Sequence, residues 1–210
     1  MKTVSIQRSV AFMVFFLWVT AGAGHALAAS VTDGLKSTID RVITIVTDPK
    51  YKEDSEARRK KLRTVINPKF NYVEMGKRSL SHEWKKLTPK QRKEFVTLFE
   101  KLLENSYAAK IESYHDEQIN YLDEIIKGKY AMVKTQVVRK AEAVGVDYKL
   151  LKTNDQWQVY DFIIEGVSMI RNYRSQFSKI IRKDSFQALL DKMSKKVSEL
   201  ESGPDAEKEL

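Results

Sequence analysis

Four consecutive strand-like segments within residues 118–164 constrain the fold of this chain more than any other feature. They read QINYLDEII, YAMVKTQVVR, VDYKLLK and WQVYDFII. The links between them are a turn at Gly128, a looser link that ends at Gly145 and a turn at Asn154. Sequential strands with short links pair as antiparallel neighbours, so the sequence predicts a four-stranded antiparallel meander.

The last of these segments is apolar on both of its faces. Alternation along a strand places Trp157, Val159 and Ile163 on one face and Tyr160, Phe162 and Ile164 on the other. A strand of this kind must be covered on both sides. Gly166 then permits a sharp turn, and Ser168 can cap the helix that follows.

Helical periodicity predicts the layer that covers the sheet. The clearest boundary is Thr88-Pro89-Lys90-Gln91, a capping box with proline at the first helical position, and its apolar stripe continues to Ile111. Three- and four-residue steps of apolar residues predict the other helices at residues 32–48, 54–66, 167–182 and 184–200 and within KFNYVEMGKRSLSHEWKKL. Helices on such a sheet give an α+β fold, which we expect to form one domain over residues 29–200, with a disordered polar tail at 201–210.

The first 28 residues have the pattern of a cleaved secretory signal. Lys2 and Arg8 precede an apolar run from Val10, and small residues ending at Ala28 follow it. A membrane anchor is the alternative, but the run is shorter than the roughly 20 residues that a bilayer core requires. The chain has no cysteine, which excludes a lipoprotein anchor, disulfides, a thiol nucleophile and a thiolate metal site.

The charge of the mature chain bears on its partners. Cleavage after Ala28 would remove two of the 37 basic residues and none of the 28 acidic ones, leaving a net charge of +7. Nucleic acid is excluded as a partner outside the cytoplasm, whereas anionic membrane surfaces and acidic protein surfaces remain. The run Arg58 to Lys61 is either a solvated helix face or a docking site for an acidic patch.

Two blocks of sequence carry a resemblance to a known family. SLSHEWKKLTPKQRKEFVTLFEKLLENSYAAKIESY has a tryptophan, then LT and a glutamine, then paired phenylalanines and leucines, and WQVYDFIIEGVSMIRNYRSQF has a strand, an EGVS turn and an NYRxQF helix. Both resemble the MlaC or toluene-tolerance auxiliary proteins of Gram-negative ABC lipid-transport systems. One departure is that Leu80 is followed by Ser81 and His82, where the family often has Leu-Gly before the tryptophan.

This resemblance implies a periplasmic, monomeric carrier. Such a protein moves phospholipid between an outer-membrane complex and an inner-membrane ABC transporter complex to maintain outer-membrane lipid asymmetry. It needs no cofactor and no catalytic residues. The expected shape is NTF2-like, with helices and sheet enclosing an apolar pocket of roughly 1,000 Å³, at the upper end of ordinary ligand volumes.

Apolar residues of the predicted strands and helices are the candidates to line that pocket. They are Phe70, Val73, Leu80, Trp84, Phe95, Phe99, Leu102, Met132, Tyr148, Leu150, Val159, Phe162, Val167, Ile170, Tyr173 and Phe177. Any one of them can instead fill the core. The carrier hypothesis requires that Phe70, Val73, Trp84, Phe99 and Tyr148 leave a continuous space. Arg171 and Arg174 are candidates to contact a lipid headgroup or a partner, with pairing to Glu165 and Asp161 as the alternative.

Two other functions remain open on the sequence. An isomerase-like enzyme would use Tyr148 with Asp161 as a tyrosine and carboxylate facing an apolar cavity. The other alternative is a periplasmic adaptor of an ABC transporter that binds no ligand. The histidines of the mature chain, His82 and His115, have no partners at recognisable spacing, so the sequence gives no support for a metal site or a catalytic triad.

Overall fold

The computed structural model describes residues 30–140 and 142–202, within which seven α-helices accompany one five-stranded sheet. The expected signal peptide and most of the expected tail lie outside these residues. The helices are α1 (Val31–Thr47), α2 (Ser55–Ile66), α3 (Tyr72–Leu80), α4 (Glu83–Lys86), α5 (Pro89–Glu112), α6 (Met169–Lys183) and α7 (Phe186–Ser202). The strands are β1 (Gln118–Lys127), β2 (Tyr130–Arg139), β3 (Glu142–Thr153), β4 (Gln156–Ile164) and β5 (Val167–Ser168).

The sheet is an antiparallel meander in the order β1-β2-β3-β4-β5. The predicted α+β class and the meander are therefore confirmed, while the predicted count of four strands is one too low. The fifth strand arises because the turn at Gly166, with φ of +78°, folds Val167 and Ser168 back onto Ile164 and Ile163. Val167 is thus a strand residue, and α6 begins at Met169.

Strand β3 is longer than the sequence predicts. Gly145 does not end a loose link but pairs with Gln136 inside the β2–β3 ladder, which extends to Arg139 and Glu142. The backbone N–H of Gly145 also donates to the Glu165 carboxylate. The pairing with β2 extends strand structure through a stretch whose local sequence predicts a link.

The main core lies within the helical layer formed by α3, α5, α6 and α7. Phe95, Phe99, Tyr173 and Phe177 form its centre, with ring centroids 5.2–5.7 Å apart in mostly edge-to-face contacts. Such geometry is the favourable one for aromatic pairs. These rings interlock and leave no space between them for a ligand chain.

Helix α1 covers part of the sheet at its central strands. Its Val31 and Leu35 pack with Val133, Leu150 and Val159 of the central strands. A smaller apolar cluster joins α1 to α2. The part of the sheet that α1 does not cover faces α2 and α5, and the packing between them is incomplete. The candidate site lies in this gap.

The capping box of α5 is formed as predicted, and its loss has an expected cost. The Thr88 hydroxyl accepts from the Gln91 N–H at 3.3 Å, and the Gln91 side chain accepts from the Thr88 N–H at 2.9 Å. Thr88→Ala should lower the free energy of unfolding by about 1 kcal/mol, measured by urea denaturation. Thr97→Ala, an exposed change on the same helix, is the control. Equal stability of the two variants would contradict the role assigned to the cap.

Candidate functional site

A cavity of about 360 Å³ lies between α2, the second half of α5 and the end of the sheet, and it is partly open to solvent. Its wall is mainly apolar. The apolar and aromatic residues that line it are Leu62, Ile66, Phe70, Tyr72, Leu103, Tyr107, Ala108, Ile111, Val137, Val146, Tyr148, Phe162 and Ile164. The cavity is about a third of the volume that the sequence-based hypothesis expects.

The strand register explains why β3 and β4 contribute apolar residues to one wall. Tyr148 pairs with Phe162, and Val146 pairs with Ile164. Directly opposite residues share a face of the sheet, and so do residues two apart along a strand. The four side chains therefore lie together on the face that looks towards α5.

Aromatic hydroxyls at the cavity stay uncharged. Burial raises the pKa of Tyr148 to about 12 and also raises the pKa of Tyr107 and Tyr72. Tyr107 packs edge-to-face on Phe162 at 5.1 Å, and its hydroxyl lies 2.9 Å from the Met169 sulfur. The inner wall is therefore neutral at physiological pH, as a site for an apolar ligand requires.

Charged residues lie along one edge of the cavity, where α2 meets α5. We call the two ion pairs Arg59–Glu112 and Arg63–Glu104 the polar seam; their N–O distances are 2.9 and 3.1 Å. Arg58 also approaches Glu112, at 3.5 Å, with only 17% of its side chain exposed. The Arg58 to Lys61 run is therefore not a uniformly solvated face, because its first two residues bind α5.

Three of the sixteen predicted lining residues, Phe70, Tyr148 and Phe162, line the cavity. The structure places the others elsewhere. Leu80, Phe95, Phe99, Leu102, Ile170, Tyr173 and Phe177 are buried in the helical core, Leu150 and Val159 are buried under α1, Trp84 packs against the helical core, and Met132 is half-buried on β2. The expected continuous space among Phe70, Val73, Trp84, Phe99 and Tyr148 is therefore not formed as predicted. Phe70 and Tyr148 share the cavity, whereas Phe99 contacts Tyr173 and Phe177 in the core.

Two predicted lining residues are exposed. Val73 is 57% exposed because α3 turns the face with Met75, Ser79 and Leu80 inwards. Val167 is 53% exposed on β5. The expectation that Val73 points inwards is wrong.

The sequence analysis predicted that α5 contributes Phe95, Phe99 and Leu102 to the wall and missed the residues of its second half. Leu103, Tyr107 and Ile111 lie four residues apart and face the cavity together. Their spacing is a detectable signal, since residues at i and i+4 share a helix face. Leu103 and Ile111 belong to the predicted stripe, but a stripe does not reveal whether it meets protein or an open space.

The structure separates the proposed enzyme pair. Tyr148 faces the cavity, whereas Asp161 is opposite Lys149 on the other face of the sheet. The buried Asp161 carboxylate accepts from the Ser168 hydroxyl at 2.7 Å and from the Ile170 N–H at 3.1 Å, and the Lys149 ammonium lies 3.7 Å away. The carboxylate oxygens of Asp161 therefore face the start of α6 and point away from the cavity.

Arg171 and Arg174 are exposed and do not line the cavity. The alternative of pairing with Glu165 and Asp161 is also wrong, because these carboxylates bind Gly145 and the start of α6. Across residues 30–140 and 142–202, no helix combines the length and hydropathy needed to cross a bilayer. The same residues contain no cluster of His, Asp and Glu side chains suited to a metal ion.

Comparisons with known proteins agree with this architecture. A phospholipid-binding protein from Ralstonia solanacearum, solved in complex with a phospholipid, has the same fold with a TM-score of 0.75. That alignment covers 83% of this chain and all of the Ralstonia chain at 22% identity.

The sequence comparisons identify the family. The intermembrane phospholipid transport system binding protein MlaC of Haemophilus influenzae is 26% identical over 195 residues, which cover 90% of this chain and 89% of that protein. The family described as MlaC protein matches residues 36–195, most of the chain. This chain therefore belongs to the MlaC family.

Proposed function

We propose that this protein is a periplasmic phospholipid carrier and not an enzyme. The observation that carries this proposal is the cavity of about 360 Å³, whose inner wall is apolar and neutral. The Haemophilus relative named for intermembrane phospholipid transport and the phospholipid-bound Ralstonia structure support the same ligand class. Residues 1–28 serve as the cleaved secretory signal in this proposal.

The energetics of an acyl chain fit such a cavity. Burying methylenes at about 0.8 kcal/mol each stabilises a sixteen-carbon chain by roughly 12 kcal/mol relative to water. A cavity that returns a similar amount makes exchange with a membrane nearly neutral in free energy, which favours passage of the cargo. The observed volume lies near the lower end of ligand sites, so a second chain requires movement of the surrounding side chains or helices.

The proposed partners follow from family membership. The protein would exchange phospholipid with an outer-membrane complex and with an inner-membrane ABC transporter complex, and so contribute to outer-membrane lipid asymmetry. Its net positive charge favours docking on acidic protein surfaces or anionic membranes. The carrier itself equilibrates its cargo, and direction comes from its partners.

Native mass spectrometry of the mature chain, purified from a Gram-negative periplasm, tests this proposal. We expect phospholipid to remain bound at about one molecule per chain, because a cavity of this volume accommodates no more than one. Protein delipidated by unfolding and refolding is the control and should regain the mass shift after incubation with phosphatidylethanolamine vesicles. Bare polypeptide in both samples would contradict the carrier and favour the adaptor without a ligand.

A further inference from the structure

The two ends of the cavity are distinguished by contacts across it. At the first end, the side-chain amide of Asn67 donates to the carboxylate of Glu104 on α5. Phe70 forms an isolated β-bridge with Val159 in the middle of β4. The first end of the cavity therefore lies between Glu104 and Val159. Tyr107 then contacts Phe162. The second end of the cavity lies further along both elements, at Ile111 on α5 and at Ile164, the last residue of β4.

Exposed apolar side chains continue the wall at this second end. Val137 and Ile164 line the cavity, and their partners in the ladder are Val144 and Val167, which are 38% and 53% exposed. Paired residues lie on one face, so apolar surface runs without interruption from the cavity wall to solvent.

Lys110 places a cation at the same end. Lys110 lines the cavity, and its ammonium is 5.8 Å from the centroid of the Tyr107 ring. Among the described residues it has no carboxylate within 4 Å, whereas Glu112 is shared between Arg58 and Arg59. The Lys110 ammonium is therefore available to bind an anion at the end of the cavity with the exposed valines.

We propose that the cavity opens at this end, which we call the mouth, and that Lys110 binds the phosphate of a phospholipid whose acyl chain extends inwards past Tyr107. This assignment rests on the proposed carrier function and adds to it a headgroup contact. It matches the two halves of a phospholipid to the site, since the ammonium is a phosphate ligand and the neutral wall receives the chain.

Lys110→Glu in the full mature chain tests the assignment. The assay is uptake of fluorescent lipid from phosphatidylethanolamine–phosphatidylglycerol vesicles, run in parallel with a fluorescent diacylglycerol that has the same chains and no phosphate. We expect phospholipid uptake to fall about fivefold, the scale of a partly exposed ion pair, while diacylglycerol uptake is unchanged. Lys110→Gln should give a smaller loss, and Lys93→Glu, an exposed charge reversal at the other end of α5, should give none.

The outcomes separate this assignment from the carrier proposal. Wild-type protein that takes up neither lipid would overturn both. Uptake of phospholipid by Lys110→Glu at the wild-type level, or an equal loss for both lipids, would overturn the Lys110 contact alone. If inorganic phosphate without lipid raises the melting temperature only when Lys110 is present, while Lys110→Glu keeps the wild-type uptake of phospholipid, the lysine binds free anions and the headgroup assignment is wrong.

Discussion

Replacing Ala108 with tryptophan should strongly reduce phospholipid binding while leaving the fold intact. Ala108 lines the cavity from α5, between Tyr107 and the mouth, so an indole at this position occupies the space that the acyl chain requires. Overpacking costs about 1–3 kcal/mol, and each 1.4 kcal/mol is tenfold in affinity, so the affinity for phospholipid should fall by about five- to a hundredfold. Lipid per chain is measured by native mass spectrometry, and the melting temperature reports on the fold.

Ala109→Trp is the matched control for this experiment. Ala109 is the next residue of the same helix and is exposed, so its indole extends into solvent. We expect this variant to keep the wild-type amount of lipid and a similar melting temperature. If Ala108→Trp also kept its lipid, phospholipid would have to bind outside the cavity, and the proposed function would lose its main support.

Asp161→Ala should cause a large loss of stability. The change removes the buried acceptor for the Ser168 hydroxyl and the Ile170 N–H and leaves Lys149 without its carboxylate. Leaving a buried donor without its charged acceptor costs about 1–3 kcal/mol of stability, and the costs for two neighbouring donors are not fully additive. We expect the free energy of unfolding to fall by about 3 kcal/mol, measured by urea denaturation.

Asp123→Ala is the control for this loss. Asp123 is also a strand aspartate near a lysine, with Lys134 at 3.6 Å, but 49% of its side chain is exposed. Removal of such a pair should cost less than about 1 kcal/mol. Similar losses for the two variants would contradict the assigned role of Asp161 in fixing β4 to the start of α6. If an Asp161 variant lost activity, the cause would therefore be the loss of folded protein and not the loss of a catalytic group.

Local signals in the sequence were sufficient to predict much of the fold. The capping box at Thr88 fixes the start of α5, and Ser168 caps α6 as its position after Gly166 indicates. These features depend on residues three or four apart in the chain. The short strand β5 and the extension of β3 depend on pairing with another strand, which local sequence does not specify.

The candidate site was less predictable for a physical reason. Phe99 and Tyr107 lie on the same helix, and both are aromatic residues on an inward-facing stripe. Phe99 meets Tyr173 and Phe177, whereas Tyr107 borders open space. The difference depends on whether the opposing elements bring enough side-chain volume to fill the gap. A hydrophobic pattern in one chain segment carries no information on that volume.

The polar seam gives the carrier a sensitivity to its ionic surroundings. Its arginines are 37% and 48% exposed, so mobile ions can approach them, and salt screens exposed charges more strongly than buried ones. Dissolved salt weakens contacts of this kind and leaves the apolar contacts of α1 and the sheet in place. The α2 side of the cavity is therefore the side whose attachment varies with electrolyte, and a highly charged membrane surface would alter it by the same route.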